Sequence, residues 1–169
     1  MDTVDLRRLR LRPGEVRDEH LDVEVQPFLL GGQRYELHPE TVPAELQITR
    51  ASGAMVFDLG LHAHVVGPCM RCLAFAELEV DVRAREFHDP DAPPADGLRS
   101  EYVSEDELKV ADWARDAIAL ALPEQILCRE DCAGLCPVCG KDLNAEPHEH
   151  VERVLDPRWA ALESLRDQL

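Results

Sequence analysis

The six cysteines of this 169-residue chain fall into three close pairs. A separation of two residues lets both thiolates of a turn face one metal ion, and Gly140 permits the turn after the last pair. Three pairs, two with two intervening residues and one with three, are typical of zinc sites rather than of core packing. The pairs are Cys69 with Cys72, Cys128 with Cys132, and Cys136 with Cys139.

Histidines near the last pair could complete a second set of ligands. Tetrahedral zinc takes four ligands, so six cysteines supply one full site and half of another. We expect one zinc ion, and the residues allow a second. We favour a first site of Cys69, Cys72, Cys128 and Cys132 and a second site of Cys136, Cys139, His148 and His150. Ligands that are close in sequence cost less loop-closure entropy, which is the reason for this preference.

An alternative pairing remains open at this stage. The two tightly spaced pairs, Cys69 with Cys72 and Cys136 with Cys139, could share one metal ion. The other four candidate ligands, Cys128, Cys132, His148 and His150, would then form the second site. His62 and His64 are substitute ligands in principle, but an ordinary surface role is the expectation for both.

Complete ligand sets predict structural sites and no enzymatic activity. A zinc ion surrounded by four side chains has no open position for water or for a small-molecule substrate. The alternative function is a thiol oxidoreductase or a nuclease. A redox Cys-x-x-Cys motif normally follows a strand and opens a helix, whereas Cys69 and Cys72 fall between two predicted strands. The acidic residues show no spacing that requires a two-metal nuclease site.

The elements that must position these cysteines are mainly strands. Apolar and polar residues alternate over 21–25, 44–48, 57–65 and 78–84, which predicts four antiparallel strands. Ser104 and Glu107 fit a capping box, and the apolar residues that follow predict a helix ended by Pro123. Asp156 and Pro157 predict the start of a short terminal helix. The predicted fold class is α+β, an antiparallel and barrel-like sheet with one main helix and a zinc-bound C-terminal segment.

Two regions of the chain are predicted. Residues 1–123 would form the sheet domain with its helix, including an exposed, mobile loop at 88–100 that is rich in proline and aspartate. Residues 124–169 would form a zinc-binding segment that ends in the short helix. We expect this segment to pack on the hairpin that carries Cys69 and Cys72.

The net charge of -16 argues against indiscriminate nucleic-acid binding, because such a surface repels phosphate groups. A basic protein is the more natural partner. The dense basic stretch at 7–12 is the exception: on an extended strand Arg8, Arg10 and Arg12 would share one face and could contact RNA, unless they form an ordinary solvated edge. With no signal peptide and no membrane span recognisable, we expect a cytoplasmic protein with reduced cysteines and no membrane partner.

Several motifs together resemble one bacterial family. They are Cys69-Met-Arg-Cys72-Leu73, Leu120-Ala-Leu-Pro123, the run from Cys128 through Gly134-Leu135-Cys136-Pro137 to Cys139-Gly140 and Asp142-Leu143-Asn144, and Asp156-Pro157-Arg158-Trp159. In this order they resemble the YceD family of large ribosomal RNA subunit accumulation proteins.

The resemblance implies a role in accumulation or processing of 23S ribosomal RNA, without an established enzymatic activity. A ribosomal protein, a pre-ribosomal particle or the large-subunit RNA itself would then be the partner. Many members of the family carry cysteines where this chain has His148 and His150. Imidazole can replace thiolate as a zinc ligand, so the second site remains chemically reasonable.

Overall fold

The computed structural model describes residues 3–93 and 96–150, and strands dominate this part of the chain. The elements in chain order are β1 (Thr3–Asp5), a 3₁₀ turn (Leu6–Arg8), β2 (Val16–Glu24), β3 (Phe28–Leu30), β4 (Gln33–Leu37), β5 (Thr41–Arg50), β6 (Met55–Pro68), β7 (Phe75–His88), β8 (Val103–Ser104), β9 (Glu107–Lys109) and α1 (Val110–Ala121). The predicted α+β class with one main helix is therefore confirmed. The terminal helix predicted from Asp156 lies outside the described residues.

The main sheet is built around β6, and all of its strand pairs are antiparallel. One edge of β6 pairs along its whole length with β7, and the other edge is shared by β5 and β4. β2 and β3 extend the sheet beyond those two strands. No pairing closes this sheet into a barrel among residues 3–93 and 96–150, so the barrel-like expectation was wrong.

The four strands predicted from alternation are confirmed as β2, β5, β6 and β7. In β5 the pattern holds residue by residue, with Val42, Ala44, Leu46 and Ile48 buried and the residues between them more exposed. Buried side chains of the sheet form one core with those of α1, which contacts β7, β2 and β1. Trp113 and Ile118 are the largest side chains that α1 contributes to it.

The helix begins later than the capping box predicts. Ser104 lies in β8 and Glu107 in β9, where the two residues face each other across a hairpin. Glu105 and Asp106 connect them with φ values of 54° and 62°, the backbone of a two-residue hairpin turn. Leu108 is fully buried at the centre of β9, which explains why a strand forms where the spacing suggested a first helical turn. α1 starts at Val110 instead.

The segment predicted as an exposed loop at 88–100 contains buried residues. His88 is the last residue of β7, and Ala92 and Ser100 are each 6% exposed. The amide of Asp89 donates to the carbonyl of Leu98 at 2.8 Å, and Arg99 Nε donates to the carbonyl of Ala92 at 2.7 Å.

The basic N-terminal stretch is not a strand, so the premise for placing Arg8, Arg10 and Arg12 on one face was wrong. Arg8 ends the 3₁₀ turn, and Arg10 has a φ of 43°. A cap explains the turn, because the Asp5 carboxylate accepts a hydrogen bond from the amide of Arg7 at 3.0 Å. Within the described chain, no helix has both the length and the hydropathy needed to cross a membrane.

Candidate metal centres

Two short segments share one backbone pattern around their cysteines, and we call 69–74 the first knuckle and 136–141 the second. The amide of the leading cysteine donates to the carbonyl five residues ahead, at 2.7 Å in the first knuckle and 2.8 Å in the second. The amide four residues ahead donates back to the leading cysteine, at 2.9 Å and 2.8 Å. The donors of these return bonds, Leu73 and Gly140, have φ values of 63° and 73°. Both Cys-x-x-Cys motifs therefore fold into the same turn, which places each pair of thiols side by side.

The first cluster brings together four thiol groups from two separate segments of the chain, the β6–β7 connection and the segment after α1. Its Sγ atoms all lie within 4.8 Å of one another, and the separations are 3.7 Å for Cys69 and Cys132 and 3.6 Å for Cys72 and Cys128. A disulfide would need about 2.05 Å, whereas a tetrahedral zinc ion with bonds of about 2.3 Å separates its sulfurs by about 3.8 Å. The spacing thus fits four thiolates around one metal ion.

Backbone contacts hold the C-terminal half of this cluster against the first knuckle. The amide of Met70 donates to the carbonyl of Ile126 at 2.9 Å, and the amide of Leu135 donates to the carbonyl of Arg71 at 3.1 Å. The Arg71 guanidinium also donates to the carbonyl of Cys132 at 3.0 Å. Gly134 has a φ of 78°, and a Cβ atom there would lie 3.1 Å from the Arg71 carbonyl oxygen. A side chain at this position would therefore strain the contact between the two segments.

The leading cysteine of each knuckle is favoured as a thiolate. Burial opposes ionisation of Cys69, but the amides of Cys72, Arg71 and Cys128 outweigh it and lower its pKa to about 6. In the second knuckle the amide of Cys139 is the main cause that lowers the pKa of Cys136 to about 6. The neighbouring thiol of Cys72, together with burial, raises the pKa of Cys128 to about 12. Without a cation, repulsion between neighbouring thiolates opposes ionisation of all four thiols in the first cluster. A bound divalent metal ion would offset this repulsion.

The second cluster combines the second knuckle with two histidines. Its donor atoms also lie within 4.8 Å of one another, and Cys139 Sγ is 3.1 Å from His148 Nε2. The other ring nitrogen, His148 Nδ1, is 2.7 Å from the carbonyl oxygen of Glu146. A proton on Nδ1 that is donated to this carbonyl leaves the Nε2 lone pair directed at the cluster, an arrangement typical of metal-ligating histidines. The His148 and His150 rings meet edge to face with centroids 5.0 Å apart.

The structure thus groups all eight candidate ligands as in the favoured arrangement. His62 and His64 belong to neither cluster: they lie on β6, where His62 Nδ1 is 2.9 Å from Asp81 and His64 Nε2 is 3.4 Å from Glu77. Arg71, which joins the two segments, was not predicted from the sequence. Its position between the cysteines of a knuckle was the available signal.

The three arginines considered for RNA contact are exposed but differ in their surroundings. Arg8 forms an ion pair with Asp5 at 3.1 Å. Arg10 and Arg12 have no ion pair with any described residue. Arg50 also lies close to this stretch, since its carbonyl accepts a hydrogen bond from the amide of Gly14 at 2.7 Å, a contact that the sequence did not predict.

Comparison with known proteins places these sites in a family. The family model described as large ribosomal RNA subunit accumulation protein YceD matches residues 57–166, which include all the candidate ligands. The chain is 32% identical over 166 residues to the uncharacterized protein Rv2926c of Mycobacterium tuberculosis, covering 95% of this chain and 79% of that protein. It is 30% identical over 116 residues to the uncharacterized protein YlbN of Bacillus subtilis, covering 66% of each. No solved structure matches the chain. By both the family model and these relatives, the chain belongs to the YceD family.

Proposed function

We propose that this protein is a non-enzymatic zinc protein that supports accumulation of large-subunit ribosomal RNA by binding a component of the pre-ribosomal particle. The observation that carries the proposal is the first cluster, in which thiols from the β6–β7 connection and from the C-terminal segment lie at tetrahedral spacing. The family description supplies the ribosomal context.

Zinc is the metal that the donor atoms fit best. Four thiolates, or two thiolates with two imidazoles, suit its preference for tetrahedral sulfur and nitrogen ligands. Its contribution in these sites would be folding energy, since ligands from separate segments are brought into one site. In the first site Cys69 and Cys72 would anchor the segment through Cys128 and Cys132, while Cys136, Cys139, His148 and His150 would close the second. We propose that residues 124–150 act as a binding module held on the sheet domain in this way.

Complete donor sets support a non-enzymatic role. Each cluster offers four ligands, so neither leaves the open position that catalytic zinc requires. Ligated thiolates are also withdrawn from thiol–disulfide exchange. Zinc-loaded protein should therefore neither cleave labelled large-subunit precursor RNA nor reduce a disulfide substrate. Turnover of either substrate would favour the nuclease or oxidoreductase alternative.

The charge distribution favours a basic protein as the direct partner, in the cytoplasm where ribosomes assemble. Acidic residues outnumber lysine and arginine by 34 to 18. Seven arginines of the described chain already pair with carboxylates, which reduces the positive surface further; they are Arg7, Arg8, Arg17, Arg34, Arg85, Arg115 and Arg129. Ribosomal proteins, which bind RNA, commonly carry the complementary charge. Arg10 and Arg12, which have no ion pair with any described residue, would be available for a direct RNA contact.

Affinity capture with and without RNase tests this proposal. The tagged full chain is recovered from a bacterial host at low and high salt, and bound proteins and RNA are identified. We expect large-subunit ribosomal proteins to remain bound after RNase at low salt and to dissociate at high salt. The paired substitution Arg10→Glu with Arg12→Glu should leave this binding intact. Arg34→Glu is the matched control, since Arg34 lies on β4 and already pairs with Glu36 at 3.2 Å.

Three outcomes would contradict the proposal. Recovery of ribosomal RNA alone, abolished by the paired arginine substitution and not by the control, would make RNA the partner. Recovery of no large-subunit component under any condition would remove the assembly role. Elemental analysis of the same reduced sample should find zinc, and its absence would overturn the metal centres.

A further inference from the structure

Asn144 lies between the two candidate metal centres and contacts the first one. It belongs to the loop that joins Cys139 to His148, both in the second cluster. Its side-chain nitrogen, Nδ2, donates to Cys132 Sγ, a donor atom of the first cluster, at 3.6 Å. A loop whose two ends are fixed by one centre thus places a hydrogen-bond donor on a ligand of the other.

The Asn144 side chain is held in a single orientation by its other contacts. Its oxygen, Oδ1, accepts from the amide of Ala133 at 2.8 Å and from the Arg129 guanidinium at 2.7 Å. Since both partners are donors, the oxygen must face them, and the amide NH₂ group faces Cys132 and the Asp142 carboxylate, which is 2.7 Å away. The direction of the hydrogen bond to sulfur follows from this network.

The same network continues into the second cluster. The amide of Asn144 donates to the Asp142 carboxylate at 2.9 Å, and the amide of Glu146 donates to the carbonyl of Asp142 at 3.0 Å. The carbonyl of Glu146 in turn accepts from His148 Nδ1 at 2.7 Å. One run of hydrogen bonds therefore joins the ring of a second-site ligand to the sulfur of a first-site ligand.

We propose that Asn144 couples the two centres, so that metal in the second site raises the metal affinity of the first. The inference rests on the proposed zinc sites. A metal ion bound by Cys139 and His148 fixes both ends of the loop, and the loop then presents the Asn144 amide to the Cys132 thiolate. A hydrogen bond to the charged sulfur stabilises the ligated form. By linkage, metal in the first site raises the affinity of the second by the same factor.

The test is a double-mutant cycle on the reduced, full-length chain, with zinc affinity measured by competition against a chromophoric chelator. Outer-sphere contacts of this type commonly change metal affinity by 10- to 100-fold. Removing the second site with Cys139→Ser and His148→Ala should lower first-site affinity by about 10-fold, and Asn144→Ala should lower it to a similar extent. The two changes combined should lower it no further, since both break one connection.

Asn144→Asp separates coupling from a merely structural role of this residue. Aspartate keeps an oxygen for Ala133 and Arg129 but loses the donor to sulfur, and it is combined with Asp142→Asn so that an amide donor again faces a carboxylate and no repulsion between two carboxylates disturbs the loop. A fall in first-site affinity, with circular dichroism unchanged, is the expected result. Ala145→Ser is the matched control on the same loop: Ala145 is exposed and its side chain makes no described contact with either cluster, so first-site affinity should stay unchanged.

Three results are decisive against the coupling. Unchanged first-site affinity in both Asn144 variants, fully additive losses in the cycle, or an equal loss in Ala145→Ser would each overturn it. Cobalt absorption, which distinguishes sites with four thiolates from sites with two, assigns each binding step to a cluster. If the unmodified chain bound no metal at all, the proposed zinc function would fail instead, so the two failures are distinguishable.

Discussion

The two clusters differ in the length of chain that each one closes. In the first, Cys72 and Cys128 are 56 positions apart, whereas Cys139 and His148 in the second are separated by only 9. By loop-closure entropy alone, the longer loop costs about 1.6 kcal/mol more to close. The first cluster is also the more buried of the two: three of its four ligands are buried and Cys128 is exposed, whereas in the second cluster only Cys136 is buried and both Cys139 and His150 are exposed. The first cluster ties the C-terminal segment to the sheet domain, and the second organises only the end of that segment.

Loss of the first site should have the largest effect. Cys69→Ser removes a buried ligand and leaves three thiols to coordinate the metal ion. Since structural zinc sites contribute on the order of 10 kcal/mol to folding, we expect the free energy of unfolding to fall by several kcal/mol. Zinc content and thermal unfolding measure the change. If the Cys69→Ser variant lost its first-site zinc ion but unfolded with the same free energy as the unmodified protein, the distinction between the two sites would be wrong.

Loss of the second site should have a local effect. Cys139→Ser is expected to release one zinc ion, to expose amides in residues 136–150 to hydrogen exchange and to leave β6 and β7 protected, because the sheet core contains none of these residues. Hydrogen exchange followed by mass spectrometry makes the comparison with Cys69→Ser. Equal deprotection of β6 in both variants would show that the clusters act as one unit.

A side chain at Gly134 should weaken the contact between the two segments. Gly134→Ala combines a left-handed backbone with a close approach to the Arg71 carbonyl, and we expect a cost of about 2 kcal/mol. Chemical denaturation of the zinc-loaded protein provides the measurement. Gly53→Ala is a suitable control, since a Cβ atom there meets nothing within 4 Å and the backbone has no positive φ.

The smallest effect is expected at the one position with a left-handed backbone in each knuckle, where the two knuckles carry different residues. Leu73 occupies the left-handed position that Gly140 occupies in the second knuckle, and its side chain is 55% exposed. Leu73→Gly should therefore stabilise the protein by about 0.5–1 kcal/mol, whereas Gly140→Ala should destabilise it by about 1 kcal/mol. Opposite signs in matched denaturation curves are the expected outcome. The same sign in both would contradict the equivalence of the two knuckles.

Sequence patterns predicted the long strands well because each has one buried and one exposed face. β5 is the clearest example, since its apolar residues recur at every second position. Strands of two or three residues, such as β3 and β8, are too short for a periodic signal to develop. The hairpin turn at Glu105 and Asp106 was hidden for another reason: both residues adopt positive φ values, a conformation for which glycine and asparagine are the usual signals.

The grouping of candidate ligands was predictable to a similar degree. Spacing alone identified the two knuckles, and loop entropy favoured the arrangement that the structure contains. Spacing did not reveal the contacts around the ligands. The contacts of Arg71 with Cys132 and of Asn144 with the same cysteine join residues that are far apart or in separate turns, so they depend on the tertiary fold. The predicted strand face of Arg8, Arg10 and Arg12 does not form, because a side-chain cap from Asp5 favours a 3₁₀ turn.

The β6–β7 ribbon separates the first knuckle from the basic N-terminal stretch by most of its length. Its 14 paired positions run from Met55 and His88 at one end to Pro68 and Phe75 beside the first knuckle. At about 3.3 Å per residue, the strands separate these ends by roughly 40 Å, several times the Debye length in cells. Arg50 pairs with Met55, so the basic N-terminal corner belongs to the end remote from the cysteines. Charge reversal in that corner should leave zinc affinity untouched, and each extremity can be altered as an independent experimental variable.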